Sequence, residues 1–199
     1  MSSFLPVPDR VAFSLFGLDI MWYGVMLVTG MVLGTALVYL RAPRHGLERE
    51  TVLDIVLYCI PFAIVGARLY YVVFEWERYA ANPLSALNLR GGGLAIHGGL
   101  IFGIGLMCYI LYKRKQNVLK WMDMAFTGVA LAQAIGRWGN YFNSEAHGTP
   151  TDLPWAIEVD GQLVHPTFLY ESLWCFLLCI FLVWLDERNL KNSKGFDGQ

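Results

Sequence analysis

The sequence predicts an all-α fold: a polytopic integral membrane helical bundle of about five transmembrane helices, with the N-terminus outside. Three observations carry this. Of 199 residues, 56% are hydrophobic and only 16% charged, with a mean hydropathy of +0.44, more apolar surface than a soluble chain of this length can hide. Five stretches approach the roughly 20 mainly apolar residues that a spanning helix needs. Lysine and arginine then concentrate in alternate connections between those stretches, which is the charge bias that sets membrane orientation.

The five spans fall at about 18–40, 52–74, 94–112, 121–138 and 167–185. The fourth is the least apolar, opening on Trp121, Met122 and Asp123 and closing on Gln133 and Arg137. Arg41, Arg44 and Arg49 mark the first connection as internal; Lys113, Arg114, Lys115 and Lys120 mark the third, and Arg188, Lys191 and Lys194 the tail. The opposite side offers Arg10, Arg78 and Arg90. The chain therefore reads as one transmembrane domain over 1–199, with a polar loop at about 140–166 on the periplasmic or extracellular face. Residues Met1 to Arg10 include Pro6 and Pro8 and lack a basic n-region, so no cleavable signal peptide is expected and the first span serves as insertion signal.

A formal charge of −1 provides no basic field for nucleic acid. Cys59, Cys108, Cys175 and Cys179 all lie inside apolar runs, without the paired spacing of zinc sites, and read as small apolar residues of membrane helices. No metal, P-loop or dinucleotide fingerprint is expected.

Ionisable groups inside spans are costly and usually functional. Arg68 stands in the second span, within Gly66-Ala67-Arg68-Leu69-Tyr70-Tyr71, and His97 near the outer end of the third, within Gly93-Leu94-Ala95-Ile96-His97-Gly98-Gly99. Arg137 closes the fourth, followed by Asn140, Asn143 and Glu145, while His165, Tyr170 and Glu171 open the fifth. Under the charge-derived topology His97, Arg137 and the His165 group lie towards the outer leaflet, which points to a single site. Duller readings stand beside this one. Arg68 can snorkel or pair with Glu75, and His97 can be a neutral, hydrogen-bonded histidine. Gly99 and Gly103 fit small-xxx-small helix packing, Gly91-Gly92-Gly93 a tight entry to the third span, and Trp138, Trp155 and Trp174 interfacial anchors. His45 and His147 read as solvated loop residues.

The densest polar run is Gly136-Arg137-Trp138-Gly139-Asn140-Tyr141-Phe142-Asn143-Ser144-Glu145-Ala146-His147-Gly148. A planar guanidinium beside a membrane surface suits a lipid phosphate; Asn140 and Asn143 add donors, and Glu145 either orients Arg137 or holds a hydroxyl or cationic group. Gly136-Arg137-x-Gly139-Asn140-x-x-Asn143-x-Glu145-x-x-Gly148 resembles the signature of the prolipoprotein diacylglyceryl transferases, with Tyr141 where that family usually has Phe. The resemblance extends to Trp22-Tyr23-Gly24, to the Arg68 and His97 segments above, and to His165-Pro166-Thr167-x-Leu169-Tyr170-Glu171, five elements in order over nearly the whole chain.

The resemblance implies a seven-span, N-out and C-in topology in the bacterial inner (plasma) membrane, with the active site towards the outer leaflet. It implies transfer of the diacylglyceryl group of phosphatidylglycerol to the lipobox cysteine of a preprolipoprotein signal peptide, without a cofactor. His97, Arg137 and Tyr23 are then the catalytic candidates. Arg137, Asn140, Asn143, Glu145, Gly148 and Arg68 are the substrate-binding ones, and His165, Tyr170 and Glu171 the supporting ones. The family runs on for about two further spans after a segment resembling Gly195-Phe196-Asp197-Gly198-Gln199. Those spans carry a second essential arginine in a Gly-Arg-Phe element that the given residues do not supply, so the resemblance leaves open whether the chain is complete and active alone. The competing class is a non-catalytic transporter or lipid-binding protein, whose intramembrane Arg and His would line a pathway; the paired repeats typical of transporters are not found. A hydrolase using Ser144 beside Glu145 lacks a nucleophile-elbow context.

Overall fold

The computed structural model describes residues 3–6, 8–88 and 92–196; Leu89, Arg90 and Gly91, and the end of the tail beyond 196, lie outside the described residues. Five long helices follow the five apolar stretches: α1 (Trp22–Arg41), α2 (Arg49–Phe74), α4 (Ile96–Lys113), α5 (Val118–Asn143) and α6 (Thr167–Phe196). A single turn, α3 (Trp76–Tyr79), and two 3-10 segments, Ala42–His45 and Pro83–Leu87, lie between them. At about 1.5 Å per residue even the shorter of the long helices approach the thickness of a hydrocarbon core. Among the described residues α1, α2, α4 and α6 are long and apolar enough to cross a membrane. Helix α5 falls short of that measure, because its sequence interrupts the apolar residues with Asp123, Gln133, Arg137, Asn140 and Asn143.

Two antiparallel hairpins add to the all-helical expectation. Strands β1 (Val11–Leu15) and β2 (Leu18–Met21) pair around Phe16-Gly17. The first helix therefore starts at Trp22 rather than near residue 18: an apolar strand abutting an apolar helix reads as one continuous run. Strands β3 (Ile157–Val159) and β4 (Gln162–Val164) pair around Asp160-Gly161, both at positive φ (51° and 78°), the conformation for which Asp-Gly turns are favoured. They occupy the stretch expected to be a polar loop, and α5 itself continues to Asn143.

The chain groups into two compact units, Met1–Val38 with Met124–Gln199, and Tyr39–Asp123. In the first, α1 and α5 run antiparallel and touch through glycine. A Cβ at Gly30 would stand 2.6 Å from the Ala132 carbonyl oxygen, and one at Gly34 2.5 Å from that of Gly128. Such backbone approach is open only to residues without a side chain. Helix α6 turns one stripe inward, Phe168, Ser172, Cys175 and Cys179, all buried, at the spacing of a single helix face. Ser172 Oγ donates to the Ala134 carbonyl (2.7 Å) and accepts from Trp138 Nε1 (3.1 Å), joining α6 to α5. Trp138 thus packs between α5 and α6.

An apolar cluster of Tyr141, Ile157, Val159, Val164 and Phe168 caps this end, with Leu5, Trp138, Phe142 and Leu169 against it. The N-terminal segment is laced over it: Phe4 N–H donates to Ala156 (2.9 Å) and Glu158 N–H to Ser3 Oγ (3.0 Å), while the Tyr141 hydroxyl donates to the Pro6 carbonyl. Tyr141, which stands where the resembled motif usually has Phe, therefore has a partner for its hydroxyl.

In the second unit α2 and α4 lie antiparallel. At one end Arg114, just past α4, donates to Thr51 Oγ1 (2.9 Å) and pairs with Asp54 (2.5 Å). At the other end Ala95 N–H donates to the Ala67 carbonyl (3.0 Å). Between them Gly99 meets Ala63 and Ala67, and Gly103 meets Ala63, as the small-xxx-small spacing predicts. Gly66 and Gly98 pack more tightly still, Gly66 under the Phe102 ring and Gly98 against the Gly66 backbone and Tyr70.

Candidate functional site

The candidate residues divide between the two units: Tyr23, Arg137, Asn140, Asn143, Glu145, Gly148, His165, Tyr170 and Glu171 belong to the first, Arg68 and His97 to the second.

In the first unit, the last turns of α5 and the first turn of α6 bring their polar groups together. Arg137 Nη2 lies 2.5 Å from Glu171 Oε2, with the two side chains 31% and 45% exposed. Glu145 does not hold Arg137. Its Oε1 accepts from both amides, Asn140 Nδ2 at 3.0 Å and Asn143 Nδ2 at 3.3 Å. The α5 terminus makes this possible, because Ser144 and Ala146 take positive φ (54° and 51°) and turn the chain back so that Glu145 faces the helix it has just left. Glu145 N–H also donates to the Asn140 carbonyl (3.0 Å). The result is a preorganised pair of amides beside a guanidinium with one carboxylate partner among the described residues. A narrow pocket of about 10 Å³, on the scale of a single water molecule, adjoins Asn140, Ser144, Glu145 and His147.

Tyr23 reaches the same helix. A Cβ at Gly139 would stand 2.8 Å from Tyr23 Cδ2, so Gly139 is the seat on which the ring rests, between Arg137 and Asn140 in sequence. Neighbouring Trp22 stacks on Phe142 at a centroid distance of 5.1 Å. Gly148 has a structural task in the described fold: a Cβ there would lie 2.8 Å from that of His165, and its N–H donates to the His165 carbonyl (3.0 Å).

His165, Tyr170 and Trp155 form a chain. Trp155 Nε1 donates to the Tyr170 hydroxyl (2.7 Å), and that oxygen lies 3.1 Å from His165 Nδ1. An indole N–H only donates, so the tyrosine hydroxyl accepts from Trp155 and can still exchange a second hydrogen bond with Nδ1. Trp155, for which an interfacial anchor is one sequence reading, belongs to this network.

In the second unit Arg68 is buried, 7% exposed. It neither snorkels nor meets Glu75, which pairs with Arg78 (2.9 Å). Its Nε donates to the Ala86 carbonyl (2.7 Å), Nη1 to Gly92 (2.7 Å) and Gly93 (2.8 Å), and Nη2 to Ser85 (3.2 Å) and Asn88 (2.9 Å). The Tyr79 ring covers it at 5.2 Å. A guanidinium has five N–H donors, and all five are engaged. His97 is exposed, in the first turn of α4, its ring 6.2 Å from that of Tyr70.

The fold thus defines a multi-pass helical membrane protein whose partly exposed arginine lies at a polar helix end. The chain belongs to the prolipoprotein diacylglyceryl transferase family, whose sequence profile matches residues 10–198. It is 51% identical to the protein named phosphatidylglycerol–prolipoprotein diacylglyceryl transferase of Finegoldia magna, over 96% of this chain and 75% of that one. The protein of the same name in Clostridioides difficile is 55% identical, over 94% and 75%, and that of Clostridium botulinum strain Loch Maree 45% identical, over 94% and 78%.

Proposed function

We propose that this protein transfers the diacylglyceryl group of phosphatidylglycerol to the lipobox cysteine of preprolipoproteins, at the outer leaflet of the bacterial inner membrane. Family membership supports the reaction class. The single structural observation that supports the site is the contrast between the two arginines. Arg68 is buried with every donor engaged, whereas Arg137 is partly exposed, paired with one carboxylate and next to two amides fixed by Glu145.

The chemistry forms a C–S bond and breaks a C–O bond. The cysteine thiol gives up its proton, because the thiolate is the nucleophile; His97 is the base that the family resemblance assigns to this. The sulfur attacks the glycerol carbon that bears the phosphoester, and glycerol phosphate leaves with the bonding pair. Charge develops on the phosphate oxygens, where Arg137, Asn140 and Asn143 supply fixed donors. Glu145 holds the amides, Glu171 holds Arg137 until lipid arrives, and Tyr23 on Gly139 presents a hydroxyl to the same helix end. His165 and Tyr170 brace the start of α6.

The test is a mass-shift assay in phosphatidylglycerol vesicles with a lipobox peptide, its cysteine-to-serine counterpart, and the Finegoldia magna relative run in parallel. A diacylglyceryl mass gain confined to the cysteine peptide is expected. A gain with the relative but none with this chain would overturn the proposal that these 199 residues carry the activity.

A further inference from the structure

Arg68 is a costly residue to place in an apolar span, and the structure gives it an unusual set of partners. We propose that Arg68 is a positioning residue: it fixes the backbone that delivers His97, and it is not a ligand of the lipid phosphate. The inference rests on the transferase reading for its kinetic arm only.

The argument starts from donor geometry. Five N–H groups point in a fixed planar fork, and here they meet five carbonyls drawn from both sides of residues 89–91: Ser85, Ala86 and Asn88 before, Gly92 and Gly93 after. No N–H remains for a phosphate oxygen unless one of these carbonyls is left unpaired. The chain past the clamp is built around the guanidinium. Gly92 and Gly93 take φ of +78° and +80°, and a Cβ at Gly93 would sit 2.5 Å from Arg68 Nη1 and 2.7 Å from the Tyr71 ring. Two residues later Ala95 N–H is fixed to the Ala67 carbonyl, and α4 begins at Ile96 with His97 in its first turn. The clamp therefore sets both the place and the direction from which the histidine-bearing helix starts. Lysine would keep the charge, but its one nitrogen cannot bridge carbonyls lying on several sides.

The experiment compares wild type, Arg68→Lys and Gly93→Ala in phosphatidylglycerol nanodiscs, by amide hydrogen exchange and by transfer kinetics. Both variants are expected to exchange at least about tenfold faster over 83–88 and 92–98, as loss of several charge-assisted hydrogen bonds requires. Both should lower kcat and leave KM for phosphatidylglycerol within about twofold, the pattern of misplaced chemistry rather than lost binding. Gly93→Ala is the decisive arm, because it retains the guanidinium. Wild-type exchange and turnover in that variant, or a raised KM with unchanged exchange in Arg68→Lys, would overturn the proposal. If the wild-type chain shows no transfer, the functional reading fails, and the exchange data alone then decide the clamp: acceleration upholds it and unchanged exchange sinks it.

Discussion

Arg137 and Arg68 show how little residue type decides by itself. The same guanidinium, placed twice near helix ends, is a backbone clamp in one place and a partly exposed cation with one carboxylate partner in the other. For Arg137→Ala, transfer is expected to fall by at least about a hundredfold, the usual scale for removing a donor aimed at developing charge, while membrane insertion is retained. Normal turnover in that variant would refute the phosphate role. Because Glu171 touches the same guanidinium, the double variant Arg137→Ala/Glu171→Ala should be no worse than Arg137→Ala alone, as expected of groups acting as a pair; kinetics of the four combinations check this. Tyr141→Phe, the family's usual residue, removes a hydrogen bond to Pro6 and leaves the ring in its cluster. It should cost about 0.5–1.5 kcal/mol of stability and leave transfer intact, as read from thermal unfolding and the mass-shift assay.

The elements are held together by what is missing from their side chains. Helix α1 approaches α5 at Gly30 and Gly34 closely enough for backbone carbonyls to fill the space of a Cβ, and α2 approaches α4 at Gly98 in the same manner, through the Gly66 carbonyl, while the Phe102 ring fills the Cβ space of Gly66. Gly34→Val must push α1 away from the Gly128 carbonyl. By the scale of overpacked interiors it should cost about 1–3 kcal/mol, whereas Gly24→Ala, with nothing within 4 Å, should not destabilise. Thermal unfolding in detergent separates the two. The small-xxx-small spacing of Gly99 and Gly103 is legible as a pattern, but spacing alone does not name the partner helix. Only the fold shows that Gly139, one of many glycines in the sequence, is the seat of Tyr23. The β1–β2 hairpin stayed hidden because its residues are as apolar as the helix that follows. The Asp160-Gly161 turn carried a readable hairpin signal inside a stretch that otherwise read as loop.

For the whole molecule, the basic residues cluster in the α1–α2 and α4–α5 connections and in the tail. The positive-inside bias supports the proposed topology, in which these face the cytoplasm and the β3–β4 hairpin faces out. A phosphatase fused after Gln116 should therefore be inactive and one inserted at Asp152 active; the reverse pattern would invert the proposed topology and place the Arg137 cluster at the inner leaflet. Helix α5, whose apolar run is interrupted by polar residues, is the element on which the candidate residues of the first unit gather. Its Asn140, Asn143 and Arg137 need partners other than lipid, and it finds some of them in Glu145 and Glu171.

By itself the sequence determined the membrane class, the approximate places of the five long helices and the family, because these depend on local quantities: apolar length, loop charge and ordered motifs. The tertiary structure alone decided which polar groups are already engaged. Glu145 holds the two asparagines and Glu171 holds Arg137, while Trp155 completes the His165–Tyr170 chain and Arg68 is used up on backbone. Hydrogen-bond partners are set by where separated segments meet in space: Arg68 has all five N–H groups engaged, whereas Arg137 and each asparagine amide keep N–H groups beyond the one given to a carboxylate. That difference in availability, invisible in a list of charged residues, is what separates the arginine proposed to meet the lipid from the one proposed to hold the scaffold.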